Sequence, residues 1–209
     1  SQEMLFNIHR FKQQGVIPAN TPVYFGGLSA KVSLLYDRFA GLTRRHDHEF
    51  KLKEEIKTVP LPRKGKAPLV CSPGNIYVVS SGMMTENTLS NVMAEQVLPH
   101  EKNAILFVGY ADPDSPAGRL RAAQEGDLVK MRPNGQPVRR NCTVDCFDFS
   151  GHATRDALVN YAVKLNPRQV VLVHGDPDAV EWMHDTLSAR MPGSTIIAPV
   201  PGQRYTFES

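Results

Sequence analysis

Residues 141–178, NCTVDCFDFSGHATRDALVNYAVKLNPRQVVLVHGDPD, decide the fold class. The run reads as strand, loop, helix, strand, loop and the start of another helix. Each loop begins with a compact polar cluster: Ser150-Gly151-His152 after the first strand and His174-Gly175-Asp176 after the second. In an open parallel α/β sheet, ligands and chemistry gather at the carboxyl ends of the strands. Adjacent strands lie about 4.8 Å apart, so histidines ending neighbouring strands could face one pocket, and whether His152 and His174 do so is the question the sequence poses.

The helix after His152 carries Ala157, Leu158, Tyr161, Ala162 and Leu165 on one face, with Thr154 as its N-cap. His152 then stands just ahead of a helix N-terminus, where the dipole favours anions. Val170–Val173 reads as a fully buried strand. Asp176 caps the last helix and Pro177 occupies its first turn, with Val180, Met183 and Leu187 inward. Residues 195–198 and 204–207 read as two closing strands.

The same alternation extends towards the N-terminus. Met4, Leu5, Ile8 and Phe11 recur at helical spacing until Gly15 and Pro18. Pro22–Phe25 is a short strand, followed by Gly26-Gly27 and a helix with Val32, Leu35, Tyr36 and Phe39 on its apolar face. Asn75–Val79 is a strand running into Ser80-Ser81-Gly82-Met83-Met84, ahead of a helix with Leu89, Val92, Met93 and Val97 inward. Ala104–Val108 reads as an inner strand buried on both faces and ends in Gly109-Tyr110. A weaker β pattern runs through 127–140. Ser-Ser-Gly between a strand and a helix could present backbone N–H groups to a phosphate.

Composition narrows the classes. Of 209 residues, 41% are apolar and 22% charged, an ordinary globular balance. A net charge of +3 permits an anionic substrate without marking a dedicated nucleic-acid-binding domain. No apolar run approaches the roughly 18 residues of a membrane span, and no secretory signal is visible. The three cysteines, Cys71, Cys142 and Cys146, are expected to be reduced thiols in a cytoplasmic protein. Residues 43–66 hold eight Lys/Arg against four Asp/Glu and read as solvated surface. His46-Asp47-His48 lies within that stretch; residues two apart share no helix face, so it is assigned to the surface as well. The chain opens Ser1-Gln2-Glu3-Met4 and enters a helical pattern almost at once, so a boundary inside a larger protein is expected.

A histidine ending a buried strand must find polar partners, and a neutral imidazole can bind metal or move protons near neutral pH. Taken singly, either residue is as readily a satisfied core histidine. Two of them in Gly-bearing loops of one β–α–β unit favour function. A catalytic zinc site takes about three protein ligands, and no further histidine has matching spacing, so a complete metal centre is not expected within this chain.

Phe149-Ser150-Gly151-His152-Ala153 followed by Val173-His174-Gly175-Asp176 resembles the two C-terminal motifs of the β-CASP group of the metallo-β-lactamase superfamily, RNA-processing nucleases such as ribonuclease J and the pre-mRNA 3′-end cleavage endonuclease. Pro22–Phe25 with its helix, Ser80-Ser81-Gly82-Met83, and Phe107-Val108-Gly109-Tyr110 leading to Gly118-Arg119-Leu120 follow that family's order, although Ser-Pro-Ala replaces the usual residues before Gly118. The resemblance implies an α/β fold: a Rossmann-like parallel-sheet β-CASP domain over 1–140, then a β-α-β-α piece over 141–209 completing a metallo-β-lactamase fold. It implies that His152 is catalytic in proton transfer, that His174 is a zinc ligand, and that Ser150, Gly151, Ser81 and Gly82 contact substrate. The HxHxDH motif and the remaining ligands of the family's zinc site are not in this sequence. The resemblance therefore implies an inactive part of a longer zinc nuclease, binding little zinc itself, with the N-terminal metallo-β-lactamase part of the polypeptide and single-stranded RNA as partners. DNA as substrate and a homodimer stay open. A non-catalytic RNA- or protein-binding module is the alternative, and an unrelated α/β hydrolase or nucleotide-binding domain ranks last, lacking GxSxG and GxGxxG.

Overall fold

The computed structural model describes residues 2–42, 49–61, 69–80, 82–147, 149 and 151–206. They form two compact units, Ser1–Phe149 and Ser150–Ser209. The first contains helix α1 (Gln2–Gln13), strand β1 (Val23–Phe25), α2 (Leu28–Arg38), a 3-10 turn at Ala40–Leu42, α3 (Leu52–Glu55), β2 (Val59–Pro60) and β3 (Ile76–Val78). A 3-10 turn at Gly82–Met84 follows, then α4 (Leu89–Val97), β4 (Ala104–Phe107), α5 (Pro116–Ala122), β5 (Leu128–Val129), β6 (Val138–Arg139) and β7 (Thr143–Cys146). The second holds α6 (Arg155–Leu165), β8 (Gln169–Val171), α7 (Pro177–Arg190) and β9 (Thr195–Ile197).

Strands of three sheets pair in parallel: β2-β1-β3, β4-β7 and β8-β9; only β5-β6 is antiparallel among the described residues. Parallel neighbours need crossover connections, here supplied by helices, and the fold is α/β as the sequence predicts. Register is fixed by apolar and aromatic cross-strand pairs. Tyr24 lies opposite Tyr77 with the rings stacked 4.9 Å apart, Ile105 opposite Val144, and Val170 opposite Ile196. Because β7 pairs with β4, it is grouped with the first unit. The strand leading to His152, β7, pairs with β4, and the strand leading to His174, β8, pairs with β9.

One core of the first unit packs Leu5, Ile8, Val23, Phe25 and Val78; another packs Leu98, Phe107, Leu120, Val129 and Met131. Burial lifts the Cys142 thiol above its ordinary range, partly offset by the Arg140 charge. The second unit closes on Val159, Leu187 and Met191, with Val170, Trp182 and Ile196 against them. No helix of the described residues is long and apolar enough to cross a membrane.

Several faces differ from the periodicity reading. Strand β4 buries Phe107 but exposes Ala104 and Leu106, and β8 exposes Val171, because each belongs to a two-stranded sheet packed on one side. Helix α2 turns Leu35, Tyr36 and Phe39 to solvent and buries Ser29 and Ser33 instead. Helix α4 buries Ser90, Asn91, Met93 and Ala94 while Val92 is exposed. Helix α6 buries Val159 and leaves Leu158, Tyr161 and Leu165 outside. Residues 204–206 form no strand, and Phe207 lies outside the described residues, as does the His46-Asp47-His48 motif.

Thr154 is the N-cap of α6: extended at φ −66° and ψ 156°, its hydroxyl accepts the N–H of Ala157 at 3.3 Å. Removing an N-cap oxygen typically costs about 1 kcal/mol. Thr154→Ala should lower the stability of the second unit by that amount, seen as an earlier denaturation midpoint in the fluorescence of Trp182, the chain's one tryptophan. Thr154→Ser should restore it; an unchanged Thr154→Ala midpoint would remove the cap from the account.

Candidate functional site

The direction of the helices in the second unit determines where its two histidine loops lie. The Arg155 guanidinium sits 4.8 Å from the centre of the Trp182 ring, and Arg190 donates to the Asn160 side chain at 3.1 Å. Early α6 thus meets early α7 and later α6 meets its end, so the two helices run the same way. Helix α7 begins just beyond the carboxyl end of β8, and α6 must begin at that end too. Gly151 and His152, three and two residues before the Thr154 cap, and His174 and Gly175, just before the Asp176 cap of α7, therefore occupy one end of the unit. Both imidazoles are exposed.

His174 adopts φ 62°, in the left-handed region. Such a conformation is uncommon outside glycine and clusters at functional positions. Gly175 behind it approaches Val180 so closely that a β-carbon would stand 2.9 Å from its Cγ2, which fixes the loop against α7. Asp176 occupies the N-cap position, but its side chain makes no capping hydrogen bond, unlike the cap expected of it. Ser150 and Asp148 lie outside the described residues.

In the first unit the turn Gly82–Met84 precedes α4. Met83 and Met84 both have positive φ, 55° and 51°, and Asn87 has 67°. The turn is tied down from within: the Asn91 amide donates to the carbonyls of Met84 (2.7 Å) and Met131 (2.9 Å). Asn91 is wholly buried. Its only signal in the sequence is an amide between Leu89 and Val92–Met93 in α4, which does not by itself mark it as buried. Ser81 lies outside the described residues, so of this pair only Gly82 is located.

Among the described residues no three His, Cys, Asp or Glu side chains come together as a metal site. A zinc site takes about three protein ligands, so one built on the exposed His174 imidazole would need further ligands from beyond these residues. A groove of about 410 Å³ in the first unit is lined by Phe6, His9, Arg10, Gln13, Glu49, Phe50 and Glu55, and none of the candidate residues borders it.

Residues 1–120 match the family model of the Beta-Casp domain, and residues 137–199 match that of the Zn-dependent metallo-hydrolase RNA specificity domain. Among curated relatives, the transcription termination factor FttA of Pyrococcus abyssi is 26% identical over 188 residues, covering 85% of this chain and 29% of that protein. The Integrator complex subunit 11 homolog of Dictyostelium discoideum is 22% identical over 199 residues, 91% of this chain and 27% of that protein. Endoribonuclease YSH1 of Candida glabrata is 29% identical over 114 residues, 54% of this chain and 14% of that protein. The chain thus spans less than a third of the length of these relatives. With the Gly82–Met84 turn ahead of α4, the two histidine loops at one end of the second unit, and the Beta-Casp model matching over more than half of its length, the chain belongs to the β-CASP family of the metallo-β-lactamase superfamily, a family of RNA-processing nucleases.

Proposed function

We propose that this chain is the substrate-specificity part of a zinc-dependent RNA-processing nuclease, and that phosphodiester hydrolysis belongs to a longer polypeptide containing it. The observation that carries this reading is the common position of the two histidine loops at the end of the second unit where α6 and α7 begin. Backbone N–H groups at helix N-termini favour anionic oxygens, and an exposed imidazole beside them can transfer a proton to or from a phosphodiester. His152 takes that role, and His174 contributes one zinc ligand. Gly151 and Ser150 line the phosphate path, with Ser81 and Gly82 as further substrate contacts.

In this reading residues 1–140 are the RNA-specificity domain, and 141–209 complete a metallo-β-lactamase fold in the cytoplasm. The outward stripe Leu158, Tyr161 and Leu165 on α6 supports that assignment, since an apolar helix face at solvent calls for cover. The metallo-β-lactamase part of the same polypeptide would supply it.

The test is binding and cleavage of fluorescein-labelled single-stranded RNA and DNA of one sequence. The chain is expected to bind RNA in preference to DNA, with affinity falling as salt rises, by about 0.7 in log–log slope for each phosphate neutralised. It is expected to leave the RNA intact with added zinc. Absence of RNA binding would refute the specificity role. Chelator-sensitive hydrolysis by the chain would refute the assignment of catalysis to a longer polypeptide, and a preference for DNA would redirect the substrate class.

A further inference from the structure

Helix α2 turns its polar side inward. Ser29, Ser33 and Asp37, four residues apart, face the rest of the first unit. The Gln2 amide donates to the Ser29 carbonyl at 3.2 Å and to the Ser33 hydroxyl at 3.1 Å. The Ser33 hydroxyl donates to the Ser29 carbonyl at 2.9 Å. The Asp37 carboxylate accepts the N–H groups of Leu52 and Lys53 at 3.0 and 3.1 Å, holding the start of α3. Hydrogen bonds along the whole inner face fix the rotation of the helix about its axis, so the orientation of its outer face is specified too.

That outer face is apolar. Leu28 is 68% exposed, Leu35 55%, Phe39 45% and Leu42, in the 3-10 turn that follows, 85%. Val32, half-buried, lies between them. Positions 28, 32, 35 and 39, through the C-cap of α2, step by four, three and four, and Leu42 lies beyond the helix end. This is the a/d rhythm of a seam that receives another helix, with Leu28 and Leu35 at d and Val32 and Phe39 at a. Lys31 and Arg38, each directly before an a residue, take the flanking g positions, and both are exposed.

We infer that α2 is a docking seam for an amphipathic helix of another protein whose apolar stripe is flanked by acidic residues. Charge selects this occupant. A second copy packed antiparallel would set Lys31 against Arg38 of its partner, cation on cation, because g positions face g positions in that arrangement. A copy packed parallel would leave both cations without an acidic partner, the e positions being Ser29 and Tyr36. Glutamates at the flanks of an incoming helix match both cations in either direction. Single-stranded nucleic acid fits less well: four of the five strip residues, Leu28, Val32, Leu35 and Leu42, are aliphatic, and only Phe39, with Tyr36 beside the strip, offers a π face on which a base stacks.

The test uses labelled helical peptides of about three heptads with Leu and Ile at d and a, one with Glu at e and g and one with Lys there. The Glu peptide is expected to bind at least tenfold more tightly than the Lys peptide. Leu35→Ser should weaken it at least tenfold while leaving the circular dichroism and melting of the chain unchanged, because Leu35 faces solvent. The double variant Lys31→Glu, Arg38→Glu should reverse the preference towards the Lys peptide, a gain that misfolding would not produce. Equal affinities, no binding by either peptide, or indifference to Leu35→Ser would overturn the inference. So would displacement of the bound peptide by single-stranded RNA, which would make the face a nucleic-acid surface, or a self-association abolished by Leu35→Ser, which would make it a dimer contact.

Discussion

Gly118→Ala is expected to destabilise the first unit by about 3 kcal/mol, at the upper end of what one added carbon costs in a packed interior. Gly118 lies in α5, where alanine would ordinarily be preferred by about 1 kcal/mol on helix propensity. Packing reverses the sign. A β-carbon there would stand 2.1 Å from the Asp112 carbonyl oxygen, 2.6 Å from Pro113 Cα and 2.7 Å from the Pro113 carbonyl oxygen. All three are backbone atoms, so no rotamer change can relieve the overlap. The loop cannot easily retreat either. The Ser115 N–H and hydroxyl both donate to the Asp112 carbonyl, at 3.0 and 2.6 Å, and Arg119 donates to the Asp114 carbonyl at 2.6 Å. The Ser115 hydroxyl in turn accepts the Gly118 N–H at 3.0 Å, closing the loop onto the first turn of the helix. Denaturant melts followed by circular dichroism test this, since Trp182 reports on the other unit. A Gly118→Ala chain as stable as the parent, or more stable, would mean that propensity outweighs the close approach.

The order of elements was legible from the sequence because it depends on local signals: Pro and Gly stops, strand-length apolar runs, and the Thr154 and Pro177 helix starts. The β-CASP resemblance read from Ser150-Gly151-His152 and His174-Gly175-Asp176 agrees with the family models that match the chain. Strand partners were not legible. β7 and β8 are consecutive strands around α6, yet each pairs elsewhere, and pairing is decided by long-range packing that no local pattern encodes. Helix faces failed for a different reason. Periodicity locates an apolar stripe but cannot tell which way it points when the opposite side is tied by hydrogen bonds, as Gln2, Ser33 and Asp37 tie α2. Helix α6 carries two apolar sides, and only the one with Val159 meets the core of its unit. At the candidate site, residue types were legible while backbone conformation was not. Nothing in the order of amino acids announces that His174, Met83 and Met84 sit in the left-handed region.

Asn91→Asp, isosteric and one atom different, is expected to cost roughly 3–5 kcal/mol at neutral pH, the range for an uncompensated buried charge. The amide at this position is used for its two N–H bonds, to the carbonyls of Met84 and Met131, which lie 7 and 40 residues from Asn91 and belong to different segments of one core. Its own oxygen finds no partner among the described residues. A carboxylate would set oxygen against both carbonyls, and even when protonated it could satisfy only one of them. The sign of the pH dependence follows. Burial beside two carbonyls favours the neutral acid, so the folded-state pKa of the new carboxyl lies above its unfolded value of about 3.9. The deficit is therefore smallest below that unfolded value and grows as pH rises through the folded one. Asn91→Leu removes the unpartnered oxygen but strands both carbonyls, for a loss of about 2 kcal/mol that does not change with pH. The contrast between the two variants separates charge from lost hydrogen bonds. It also bears on substrate contact, because Asn91 bonds the carbonyl of Met84, which closes the turn that begins at Gly82. If the turn at Gly82–Met84 touches RNA, Asn91→Leu studied where it is still folded should bind single-stranded RNA more weakly than the parent. Equal stability of the Asn91→Asp chain and the parent at neutral pH would show that the turn is held without this amide.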